Sequence, residues 1–137
     1  MNSDTRLRLL AVVLRISGVV LLAAFPAMLL PTDWMASTHE RLGLGEFPRA
    51  AIVQYLTRSI AALYGFHGVL VLLVARDPVR YRDIVAYIAV MNVAFGLMML
   101  AIDLHAGLPR YWTAFEGPPI AALGVVIGLL NRRMGVS

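Results

Sequence analysis

The sequence predicts an all-α polytopic membrane protein, a four-transmembrane-helix bundle with short interfacial outer segments. Three observations predict it. Of the 137 residues, 60% are apolar and 15% are charged, whereas a soluble domain carries about 25% charged residues. Four long apolar stretches recur along the chain, among them the seventeen uncharged positions 59–75. Polar loops bearing arginine separate these stretches, and mean hydropathy is positive. Four spans use most of the chain, so 1–137 reads as a single transmembrane domain with no room for a separate soluble catalytic domain.

The first span is predicted over 9–31. Arg15 lies in its first third, where its stem can snorkel toward the headgroups. Pro26 is expected to kink the outer part. A cleaved signal peptide is the competing reading, but the apolar stretch is long for an h-region and no small-x-small site precedes a polar segment. The linker 32–49 follows. Thr32 and Asp33 are expected to cap a short helix carrying Trp34, Met35 and His39, which Gly43, Gly45 and Pro48 then break. Trp34 and Phe47 suit the bilayer interface, along which this segment is expected to lie.

The second span is predicted over 50–75. The turn 76–83 is short and charged, so the second and third helices are expected to be antiparallel neighbours. The third span reads as 84–104, and 105–117 as an interfacial loop with Tyr111 and Trp112 marking the outer boundary. Pro118 and Pro119 suit the start of the fourth span, 118–131.

All twelve basic residues are arginine, and their distribution sets orientation. Eight of them (Arg6, Arg8, Arg15, Arg76, Arg80, Arg82, Arg132 and Arg133) fall at the termini and the 76–83 turn, against four on the opposite side. The positive-inside rule then puts both termini in the cytoplasm and 32–49 and 105–117 outside.

Polar groups within the spans are the candidate functional residues. At 1.5 Å per residue, Arg58 lies about 27 Å from the Arg76 end, Asp103 about 30 Å from Asp83, and Glu116 about 24 Å from Arg132. The three charges thus converge in depth near the outer hydrocarbon boundary. Asn92, Gly96, Met99 and Asp103 form one stripe of the third helix, and Arg58, Ala61 and Gly65 one stripe of the second. These stripes are expected to pack together, with Arg58 paired to Asp103 and Asn92 giving a hydrogen bond. Gly117, Ala121, Gly124 and Gly128 give the fourth helix a small-residue face. The pair reads as a packing clamp, as part of a ligand- or proton-accessible outer cavity in which Arg58, with Tyr55 or an outer-loop aromatic beside it, holds an anionic or polar lipid group, or as two charges without direct contact. Tyr64 and His67 lie deeper and on another side of the second helix. His67 is suited to haem or proton relay, but no second axial ligand stands at its depth, and a hydrogen-bonded packing histidine is the plainer reading.

Several functions are excluded. With no cysteine, disulfides, thiolate metal sites and dithiol redox chemistry are absent. Scattered arginines at helix ends do not make a nucleic-acid surface. His39, Glu40 and His105 lack a recognised zinc spacing, so no metal site and no catalytic residue are assigned, and the cofactor stays unknown.

The opening of the first helix, LRISGVVLLAAF, resembles the first helix of DoxX-like and related small four-helix bacterial membrane proteins. PTDWMASTHERLGLGEFP followed by YLTRSIAALYGFHG is similar to a family of uncharacterised bacterial membrane proteins. The resemblance implies the four-helix fold. Some DoxX-related proteins are associated with thiol redox pathways, but this chain has no cysteine to carry that chemistry, and the family's basic residue after the first-helix glycine region is not evident. No catalytic residue is carried over.

The function expected is a non-catalytic membrane module, either scaffold, accessory subunit or lipid-binding component. Its partners would be membrane lipids and a homo-oligomer or larger membrane protein. The alternatives are an oligomeric channel or transporter subunit, and a small membrane enzyme acting on a lipid or quinone at an outer-leaflet cavity.

Overall fold

The computed structural model describes residues 2–132; Arg133, one of the eight arginines used for orientation, lies outside them. Every regular element among the described residues is a helix. The order is α1 (Ser3–Leu22), α2 (Ala24–Met28), α3 (Thr32–Arg41), α4 (Ala51–Val74), α5 (Arg82–Ala106), α6 (Arg110–Phe115) and α7 (Gly117–Arg132). Four helical stretches are long and apolar enough to cross a membrane: Ser3–Met28, Ala51–Val74, Arg82–Ala106 and Arg110–Arg132. At most 28% of the most apolar window of each is buried in the protein. Apolar helices this exposed need hydrocarbon around them, which identifies a multi-pass membrane protein.

The middle two spans fall within two residues of their predicted bounds. The first begins at Ser3 rather than residue 9, because hydropathy marks where a helix enters hydrocarbon and not where helical hydrogen bonding starts. Pro26 lacks an N–H, and its ring crowds the carbonyl of residue 22, so the helix breaks between Leu22 and Ala24. The chain then closes in tight turns, with Leu29 N–H donating to Pro26 O at 3.0 Å and Leu30 N–H to Ala27 O at 3.3 Å.

Two local expectations are corrected. Neither Thr32 nor Asp33 caps α3: Pro31 occupies the cap position and no side-chain cap bond forms. The Pro31 carbonyl takes the Trp34 and Met35 N–H groups, freeing Thr32 Oγ1 to donate to Gln54 at 2.9 Å. The interval 105–117 is not simply a loop, since it contains α6. Gly107, at φ 68°, ends α5 in the left-handed conformation, and Leu108 N–H returns to the Asp103 carbonyl. Pro109 then opens α6, and Pro118 and Pro119 fall in the first turn of α7, where a missing N–H costs nothing.

The chain forms two compact units, 1–15 with 73–137, and 16–72. In the first, α5 and α7 run antiparallel and touch through glycine. A Cβ built on Gly96 would fall 2.5 Å from the Ala121 nitrogen, and one on Gly124 would fall 2.6 Å from the Ala89 carbonyl. The predicted small-residue face of the fourth span, Gly117, Ala121 and Gly124, is the face that α5 covers. Asn131, 4% exposed, ties the far end by donating to the Arg82 carbonyl at 3.1 Å.

In the second unit α1 and α4 approach at Gly18 and Gly68, where a Cβ on Gly68 would meet the Leu22 nitrogen at 2.6 Å. Phe25 covers Gly65 and packs edge-on against Phe66, with ring centroids 5.1 Å apart. Each of the two stripes expected to pack together is observed against a neighbour in its own unit. Gly96 lies against α7, and Gly65 against Phe25, a large residue at the helix break that sequence stripes alone did not count.

Candidate functional site

Among the described residues, two polar clusters centre on charges within the spans, one in each unit. In the unit 16–72 the centre is Arg58 on α4. The tight turns after Pro26 leave the carbonyls of Met28 and Leu30 without helical donors. Arg58 supplies them: one guanidinium nitrogen donates to the Met28 carbonyl, and the other to the Leu30 carbonyl at 3.0 Å. A planar fork suits two adjacent acceptors, and a cation is favoured at the negative end of a helix. The same strip is stapled again by Thr32 to Gln54, whose amide nitrogen donates to the Arg49 carbonyl at 3.2 Å. Arg49 and Asp33 form an ion pair at 2.9 Å, but both are largely exposed, so it contributes little.

In the other unit the centre is Asp103 on α5, only 1% exposed. Glu116, between α6 and α7, stands near enough to the Asp103 carboxyl for the two acidic groups to interact. Trp112, one helical turn before Glu116, donates its indole N–H to the Glu116 carboxylate. The second oxygen of Asp103, Oδ2, is buried and has no hydrogen-bond partner among the described residues. Glu116 also stands directly before α7, whose N-terminal end favours a negative group.

Of the three charges expected to converge, Asp103 and Glu116 come together. Arg58 and Asp103 each have their observed partners inside their own unit. Asn92 is corrected: its amide donates to the Ile88 carbonyl of its own helix at 2.8 Å, the usual resort of a polar side chain in an apolar span. Tyr55 is 64% exposed and makes no hydrogen bond among the described residues, so it does not join the Arg58 cluster. Tyr64 and His67 are half-buried on α4, and His67 makes no hydrogen bond or ion pair among the described residues. His39 turns its Nδ1 to the Gly45 carbonyl at 2.9 Å and its ring edge-on to Phe47, closing the loop after α3. No group of three or more acidic or histidine side chains able to hold a metal occurs among the described residues.

Trp112, Gln54 and Asn131 are the partners that sequence reasoning missed. Trp112 and Glu116 are four apart, the spacing that places side chains on one helical face, so this contact was readable. Asn131 and Gln54 bond to residues far along the chain, and no local spacing announces that. Comparison with protein-family models, curated proteins and solved structures gives no match.

Asp103→Asn should keep stability within about 1 kcal/mol of wild type, since the amide keeps the side chain's shape and removes one of two neighbouring acidic groups. Asp103→Ala should lose about 1–3 kcal/mol, leaving buried polar groups unmet. Thermal unfolding in detergent reads both. Equal losses for the two variants would show that the site requires the carboxyl itself and not a polar group of its shape.

Proposed function

We infer that this chain is a non-catalytic module of the bacterial cytoplasmic membrane, with both termini in the cytoplasm, acting as a scaffold, accessory or lipid-binding component. One observation carries the reading. Arg58, the only charge inside the α4 span, is engaged by the carbonyls of Met28 and Leu30 and serves as a helix clamp. A catalytic or ligand-holding arginine would keep its guanidinium available. The arginine bias supports the orientation, and the DoxX-like character of the first helix supports a bacterial membrane setting.

One observation favours the alternative of an oligomeric channel or transporter subunit. Asp103 Oδ2 is buried without a partner among the described residues, beside a second carboxyl in a span, and ionisable groups within spans often line ion paths. Proteoliposomes separate the two. Under an imposed pH gradient with a potassium potential, a non-conducting module leaves proton and cation flux at the level of empty vesicles. Flux above that level, abolished by Asp103→Asn, would overturn it in favour of transport.

A further inference from the structure

An open groove of about 410 Å³ lies in the unit that contains the amino-terminal half of α1 and the turn after α4. Leu7, Ala11, Val12, Pro78 and Val79 give it an apolar floor and walls. Three guanidinium groups, from Arg8, Arg15 and Arg76, line it against one carboxylate, Asp77. Arg8 and Arg15 are seven residues apart, about 10 Å along one helical face. Helical side chains lean toward the amino terminus, so Arg15 reaches back toward the level of Arg8.

None of these three guanidinium groups has an ion pair or hydrogen-bond partner among the described residues. Asp77 forms no ion pair with them among the described residues, and its Oδ1 accepts the Arg80 backbone N–H at 3.1 Å. Three unpaired cations at the rim of an apolar trough, at the end of two spans, match a ligand with an anionic head and a hydrocarbon body. We propose that this groove binds an anionic phospholipid, its phosphodiester among Arg8, Arg15 and Arg76 and an acyl chain along Val12 and Val79. A free phosphate would leave the apolar walls uncovered, and an acidic protein segment would leave the trough without hydrocarbon. The site deepens the lipid-binding component of the proposed function and rests on the chain being a membrane module.

The test uses the full chain in neutral detergent, titrated with phosphatidylglycerol or phosphatidylcholine and read by native mass spectrometry. Phosphatidylglycerol adducts should be retained in preference to phosphatidylcholine. The triple variant Arg8→Gln, Arg15→Gln, Arg76→Gln should weaken them roughly a hundred-fold, the weight expected of three basic residues at an anionic lipid surface. Arg110→Gln, outside the groove, should bind as wild type does. If the triple variant does not fold, each single variant should still lose about five-fold. Equal retention of the two lipids, unchanged affinity in the variants, or displacement of phosphatidylglycerol by millimolar inorganic phosphate would each overturn the proposal. The vesicle flux assay judges the non-conducting reading separately, so failure here leaves that reading standing.

Discussion

Arg58→Ala is expected to lower the stability of the detergent-solubilised protein by about 2–4 kcal/mol. The figure follows from two hydrogen bonds with a charged donor, each worth about 1.5–3 kcal/mol before the exposed part of the side chain is discounted. Their acceptors, the Met28 and Leu30 carbonyls, belong to the tight turns that follow Pro26, where the chain has no further helical donors to offer. Removing the guanidinium therefore loosens the end of α2 as well as deleting a contact. Arg58→Lys should recover less than half of the loss, since one ammonium cannot reach two carbonyls in the geometry of a fork. Denaturation in mixed micelles reads both variants. Full recovery by lysine would mean that charge alone, and not the paired donors, is what the site requires.

The second large effect is expected at Gly96. Gly96→Ala should cost about 1–3 kcal/mol, the range for forcing one extra carbon into a close-packed contact. Gly96→Leu should prevent α5 and α7 from closing. A Cβ on Gly96 meets the Ala121 nitrogen at 2.5 Å and the Gly117 carbonyl at 2.6 Å, and both are backbone atoms that no rotamer change can move. Gly128→Ala is the internal control. There the added carbon meets only the Ala89 Cβ, at 3.6 Å, an ordinary contact. Its stability should stay within about 0.5 kcal/mol of wild type. Thermal unfolding of the three variants in one detergent decides the matter. Equal effects at Gly96 and Gly128 would show that the close α5–α7 approach does not set the cost, since helix propensity favours alanine at both positions.

The spans were legible because lipid imposes a one-dimensional rule. A helix that crosses hydrocarbon must be apolar for about 20 residues, whatever packs beside it. The depth of Asp103 and Glu116 was legible for the same reason, since helical rise converts sequence separation into height. The break near Pro26 followed from the missing N–H. The small-residue face of α7 was legible too, because glycines at helical spacing on an apolar stretch have little use other than close approach.

What the sequence by itself determined about this protein is therefore its class, its four spans and the common level of Asp103 and Glu116, all set by local chain chemistry against a uniform solvent. Only the tertiary structure decided the partners. Asp103 meets Glu116, Arg58 holds the carbonyls left open after Pro26, Gly96 receives α7, and Asn131 reaches Arg82. Height and face do not determine which neighbour a side chain meets. That choice depends on which helices sit side by side and on where a broken helix leaves acceptors unmet, and both arise only when distant segments pack.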